Sequence, residues 1–204
     1  QLYGSRRAGQ EAALSFDDME SALAELGPDA STTRLHVTGE DANPDGGSSG
    51  IVYDKGAIFL RTMERIAGRE RFDAYLRSWF DRHAFQPATS ALFVADIRAH
   101  LVAGNADLER QLMLDQWVYQ PGLPTNVARP DPSAFAEVDA ASAAYARAGT
   151  IDAARWNGWT TAERLRFLNH LPATMTVQQM LTLDTGLGLS RITNNEVLFA
   201  WLNR

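Results

Sequence analysis

IVYDKGAIFLRTMERIAGRERFDAYLRSWFDRHAF, running from Ile51 to Phe85, is the stretch that decides the fold. In its first half Tyr53, Ala57, Leu60, Met63 and Ala67 fall three or four residues apart. That spacing places side chains on one face of an α-helix, and Gly68 supplies a stop. In its second half Phe72, Tyr75, Leu76, Trp79, Phe80 and His83 repeat the period, with Arg71, Asp73, Arg77 and Asp81 opposite. Two amphipathic helices joined through a single glycine predict a helical hairpin.

The flanking sequence extends the same pattern. Ser15 and Asp18 have the shape of an N-cap for a short helix carrying Phe16, Met19, Leu23 and Leu26, which Gly27-Pro28 ends. Residues 29–50 are rich in Gly, Ser, Asn and Asp and read as a loop, with a brief extended run from Arg34 to Thr38. Further helices are expected from Ser90 to Leu101 and from Asp107 to Val118. Pro121, Gly122, Pro124, Pro130 and Pro132 then crowd a segment that neither a helix interior nor a central strand accommodates. Beyond it, Ser133 to Ala148 reads as an alanine-rich helix, and Thr160 with Glu163 forms a capping box for a helix through Leu171. Val177 to Leu183 and Asn195 to Asn203 complete the series. The expected architecture is all-α, with a domain over residues 1–120, a proline-rich linker at 121–132 and a second domain at 133–204. Short helices joined by short turns point to the start of an α-superhelix in that second part.

Composition limits the partners. With 204 residues, 45% of them apolar, the chain can bury a sizeable core, and a formal net charge of -6 excludes a broad basic surface for nucleic acid or anionic lipid. The most apolar stretch, Gly50 to Arg61, is interrupted by Asp54 and Lys55 and is too short to cross a membrane. The chain has no cysteine, which removes disulfides, thiolate ligands and thiol nucleophiles but does not choose between cytoplasm and periplasm for a soluble protein. Gln1 is not an initiator Met, and the first nine residues lack the apolar core of a secretory signal, so a processed chain or a fragment is expected.

Chemistry has few candidates. A zinc hydrolase commonly holds its metal through H-E-x-x-H, two histidines one helical turn apart with a glutamate as general base, and this sequence has none. Of the four histidines, His36, His83, His100 and His170, only His100 has a carboxylate at chelating distance along a helix, Asp96, and the pair reads as helix surface. The glycine and serine run from Gly46 to Gly50 lacks the buried strand that a nucleophile elbow needs and the lysine that a phosphate-binding loop needs, so turn chemistry accounts for it. Tyr53, opening a helix after that run within Tyr53-Asp54-Lys55-Gly56, reads from physics alone as core packing.

Those same residues carry a resemblance. Y-D-K-G after a Gly/Ser loop resembles the Y-E-K-G segment of the gluzincin zinc aminopeptidases, the family that includes leukotriene A-4 hydrolase and aminopeptidase N. Trp117 through Pro124 resembles the W-x-Y-x-P-G-L-P linker of the leukotriene A-4 hydrolase branch. Phe72-Asp73, Trp79-Phe80 and His83-Ala84-Phe85 resemble its closing helix pair, while Asn194-Asn195-Glu196 and Trp201-Leu202 resemble segments of its carboxy-terminal helical domain. The resemblance implies the helical end of a thermolysin-like catalytic domain followed by the start of an α-α superhelical domain. It implies a parent enzyme with one catalytic zinc that removes amino-terminal residues from peptide substrates, and it gives Tyr53 the role of hydrogen-bond donor to the oxyanion. A phenol, with an ordinary pKa of about 10, is protonated at neutral pH and suits that task.

The resemblance also aligns Asp45 with an aspartate that directs water in an epoxide reaction. Ser48 replaces the tyrosine that accompanies it, which favours aminopeptidase action, and Asp45 after Pro44 is equally a turn former. In the family the zinc ligands and the amine-recognition segment precede this tyrosine. The chain is therefore expected to bind no metal, to lack its amino-terminal, zinc-binding partner portion and to be inactive alone. The alternative is a non-catalytic helical scaffold or peptide-binding module.

Overall fold

The computed structural model describes residues 4–27, 29–37 and 49–204, and among these every regular element is helical. They form two compact units, Ser15–Arg129 and the residues up to Leu14 together with Pro130–Arg204. Helix α1, Gly4–Leu26, contributes its first part to one unit and its remainder to the other. It begins well before Ser15, which is therefore no cap: its hydroxyl donates instead to the Asp54 carboxylate at 2.8 Å.

In the unit from Ser15 to Arg129, a 3-10 turn at Ser31–Thr33 precedes α2, Ser49–Ala67, and α3, Arg69–Arg82. The expected hairpin forms, with α2 packed on α3. Gly68 links them at φ 84, a left-handed conformation that costs a residue with a Cβ. The stripe facing the core agrees with the expected one at Met63 and Ala67 and departs from it earlier in the helix. Ile51, Lys55, Ile58, Phe59, Thr62 and Met63 are buried, whereas Tyr53 and Leu60 are exposed, and on α3 Phe80 faces solvent while Phe72 and Tyr75 are buried. Both stripes on α2 have helical spacing, and periodicity alone does not say which one has a partner.

Helix α4, Ser90–Asp96, is capped by the Thr89 side chain and runs on into a π-helical stretch at Ile97–Val102, ending where the Ala103 amide donates to the Arg98 carbonyl. Arg71 from α3 donates to the Leu101 and Val102 carbonyls there. Helices α5, Ala106–Leu112, and α6, Leu114–Tyr119, replace the single helix expected over this stretch, because Met113 adopts φ 50 between them. The core joins Phe16, Met19, Ile58, Met63, Ile97, Leu101, Leu112 and Trp117.

The proline-rich segment is strapped along α2. Thr62 accepts from the Ala128 amide, Arg65 donates to the Asn126 and Val127 carbonyls, and the Trp117 indole donates to Asn126 Oδ1.

The other unit packs α7, Ala136–Ala148, against α9, Thr161–Asn169, and α9 against α11, Asn195–Leu202. Between them lie α8, Ala153–Gly158, which the spacing did not predict, and α10, Val177–Leu187. The Thr160–Glu163 capping box is present as expected, and Glu163 also accepts from Arg6 and Gln10 of α1. Phe135, Val138, Trp156, Phe167, Leu168 and Val197 form this core.

Because a Cβ at Gly68 would meet nothing within 4 Å, Gly68→Ala isolates the backbone term. It should lower stability by about 1–2 kcal/mol, read as a lower midpoint in chemical denaturation with an unchanged m-value.

Candidate functional site

Helix α2 sorts two neighbouring side chains to opposite sides. A helix turns about 100° per residue, so residues two apart point roughly 200° away from each other. Lys55 accordingly lies wholly inside, at 0% exposure, while Tyr53 is 78% exposed. The expectation from physics alone that Tyr53 packs in the core is thereby corrected: its ring stands outward with no hydrogen bond to any described residue. Asp45 and Ser48 lie outside the described residues, as does most of the glycine and serine run.

Beneath Tyr53, the Lys55 ammonium donates to the Thr33 carbonyl at 3.0 Å and to the Gln120 carbonyl at 2.8 Å. Thr33 is itself fixed twice, its hydroxyl donating to the Ala30 carbonyl at 2.7 Å and accepting from the Gly122 amide at 2.9 Å. Nearby the His36 amide donates to the Val118 carbonyl at 2.9 Å. Three segments distant in sequence thus meet at one buried cation. Burial, reinforced by the positive charge of Arg34, pushes the Lys55 amine down to about 8. The sequence carries a signal for this residue, since Lys55 follows Ile51 by four and precedes Ile58 by three on the buried stripe.

On the same outward stripe as Tyr53, Gly56 and Leu60 follow at i+3 and i+7. They border an open apolar pocket of about 220 Å³ that Leu35, Phe59, Ser90, Phe93 and Val118 also line.

Two of the four histidines, His83 and His100, approach one carboxylate, and the other two lie elsewhere. Asp96 accepts both oxygens' worth of donors, with Arg82 on Oδ1 at 2.6 Å and on Oδ2 at 3.1 Å, and His83 on Oδ2 at 3.1 Å, while His100 stays 3.8 Å away. Burial alone would raise this carboxyl, but the Arg82 and His83 hydrogen bonds outweigh it and hold it below the usual carboxylate range. His36 packs its ring edge-on to Tyr119, and His170 bonds its own helix at the Arg166 carbonyl. Among the described residues no three His, Asp or Glu side chains are grouped to hold a metal ion. These residues therefore do not fit a zinc site. Among them, too, no helix is long and apolar enough to cross a membrane.

The fold is that of the helical region of a leukotriene A-4 hydrolase, as comparison with solved structures shows. The chain aligns with yeast LTA4 hydrolase, solved in complex with bestatin, at a TM-score of 0.81 over 98% of this chain and 36% of that one, with 16% identity. It is 24% identical over 125 residues to leucine aminopeptidase 2-1 of Meyerozyma guilliermondii, covering 60% of this chain and 20% of that protein. Against leucine aminopeptidase 2 of Neurospora crassa it is 26% identical over 197 residues, 90% of this chain and 28% of that protein. No family model matches. The chain spans between a fifth and somewhat over a quarter of the length of these two leucine aminopeptidases, to which it is similar in sequence.

The lowered Lys55 pKa has a sign that denaturation can read. An unfolded lysine titrates near 10.4, so between about pH 8 and 10 the unfolded chain binds more protons and folding gains stability as pH rises. Lys55→Met lacks this gain. The stability difference between wild type and variant should therefore shift toward wild type by on the order of 1–2 kcal/mol across that window, measured by chemical denaturation at each pH.

Proposed function

We propose that residues 1–204 form the helical portion of a zinc aminopeptidase that removes amino-terminal residues from peptides, and that Tyr53 is its oxyanion donor. The observation that carries this reading is the outward, unpartnered phenol of Tyr53 on α2, in the Tyr53-Asp54-Lys55-Gly56 segment. A buried tyrosine at this position would have no access to substrate. The names of the relatives supply the reaction class, and the length of those relatives supplies room for the zinc ligands elsewhere in the protein.

In this role Tyr53 Oη donates a hydrogen bond to the substrate carbonyl oxygen as that carbon becomes tetrahedral and the oxygen takes up negative charge. A donor aimed at charge that develops only in the transition state lowers the barrier more than it tightens substrate binding. The phenol acts as a hydrogen-bond donor, by position and dipole. Bound zinc supplies the activated water, and no residue described above substitutes for it. Residues 1–204 alone accordingly have no nucleophile and no activity. Asp45 is assigned to the neighbourhood of this site on the sequence resemblance alone.

In the intact enzyme, Tyr53→Phe should lower kcat by roughly two to three orders of magnitude with little change in KM. An unchanged kcat would return Tyr53 to the class of exposed aromatics without a role. Residues 1–204, incubated with zinc and dialysed, should retain less than stoichiometric metal by elemental analysis, and one retained ion per chain would contradict the placing of the ligands outside them.

A further inference from the structure

Among the described residues Lys55 is buried without the carboxylate partner that such a burial ordinarily requires. Lysine is almost never fully enclosed unless paired, because an ammonium withdrawn from water loses several kcal/mol of solvation. Its neighbours on the inner stripe of α2 are Ile51, Ile58 and Phe59, and a methionine would fill the same space without a charge. Packing therefore does not explain a lysine. What the charge provides is a pair of strong donors that reach carbonyls at 3.0 Å and 2.8 Å on two segments, Thr33 and Gln120, lying 22 and 65 residues away in sequence.

The position of those bonds matters. The first turn of a helix has no preceding carbonyls for its amide groups to bond, so it is the part most free to fray or rotate. Tyr53 and Lys55 both sit within the first two turns of α2. Ser15 holds this end from α1 through Asp54, and Lys55 holds it from within. The acceptors are themselves immobilised, Thr33 by its bonds with Ala30 and Gly122, and Gln120 by the turn that carries its amide to the Gln116 carbonyl.

We propose that Lys55 is a positioning residue for Tyr53: by joining the Thr33 and Gln120 carbonyls, its ammonium fixes the rotation of the first turns of α2 and so the direction of the Tyr53 phenol. This rests on the reading of Tyr53 as the oxyanion donor. Since the two side chains leave the helix on opposite sides, any roll of the helix that releases Lys55 from its acceptors carries Tyr53 through the same angle. Displacements of about 1 Å at a catalytic group cost as much as 100-fold in rate.

The test is a double-mutant cycle in the intact, zinc-loaded enzyme with Lys55→Met, Tyr53→Phe and the pair. Lys55→Met should lower kcat roughly 10- to 100-fold with KM nearly unchanged. In the Tyr53→Phe background the same change should slow turnover less than about twofold, since there is no phenolic donor left to position. Losses that multiply independently would overturn the proposal, as would an unchanged kcat in Lys55→Met beside a slow Tyr53→Phe. An unchanged kcat in Tyr53→Phe overturns the assignment of Tyr53 itself and the positioning role with it. Hydrogen exchange supplies a readout apart from turnover. Amides of residues 53–56 should exchange at least about tenfold faster in Lys55→Met while those of 60–66 do not, and equal protection in both would count against the clamp. If Lys55→Met does not fold, Thr33→Val, which removes the acceptor of the Gly122 amide and leaves the lysine, carries the same cycle. It should show a smaller loss in kcat that also vanishes in the Tyr53→Phe background, and an undiminished kcat would overturn the proposal.

Discussion

A buried ammonium organises the unit from Ser15 to Arg129. Inside an apolar stripe, Lys55 tolerates no arrangement of its surroundings in which its N–H groups go unmet, because an unsatisfied charge costs far more than an unsatisfied amide. The Thr33 and Gln120 carbonyls must therefore stay where they are. Holding them places the 3-10 turn before α2 and the segment after α6 against the same helix. The Ser31–Thr33 turn, the exit from α6 and the first turns of α2 become one structure, although local hydrogen bonding alone would leave each of them free.

The chemistry of the proline-rich segment makes this possible. Gln120 precedes Pro121, and the clash with the proline ring drives the preceding residue out of helical geometry. It adopts φ -103 and ψ 149, which turns its carbonyl away from α6 and frees it as an acceptor. Gly122 follows at φ 69, bringing its amide onto the Thr33 hydroxyl. A run that reads as a break in helix is thus a source of unpaired backbone groups, and α2 absorbs them through Lys55, Thr62 and Arg65. Prolines end α6 and, in the same stroke, provide what fastens the chain beyond it.

Much of the helical order was legible because it rests on local rules. The Thr160–Glu163 box and the stop at Gly68 are each set by a few neighbouring residues, and both stand in the structure where the spacing puts them. Other features depend on contacts that a sequence pattern does not contain. Ser15 looks like a cap, yet its hydroxyl bonds Asp54 and the helix runs through it, since the arginines and alanines before it continue to favour helix. The π-helical stretch at Ile97–Val102 is held by Arg71 from α3, and the break at Met113 sits in a left-handed conformation that no glycine announces. The face of α2 was misjudged for a similar reason. Tyr53, Ala57 and Leu60 make as regular a stripe as Ile51, Ile58 and Thr62, and a lysine in the second stripe counts against burial until its acceptors are known.

That misjudged face bears on the proposed site as well. Placing Tyr53 in the core turns the helix over, and with it the chemistry: an enclosed phenol has no substrate to meet, and the residue two positions on would face solvent with nothing to hold. The tetrapeptide resemblance named the tyrosine without saying why a lysine accompanies it two residues on. A separation of two supplies the reason in physical terms, because it is the shortest spacing that sends one side chain inward and the other outward along a helix. An inward anchor and an outward donor within one turn are then a single mechanical device. The direction of the donor is set by a group that never touches the substrate, and the helix between them is the rigid body that transmits it.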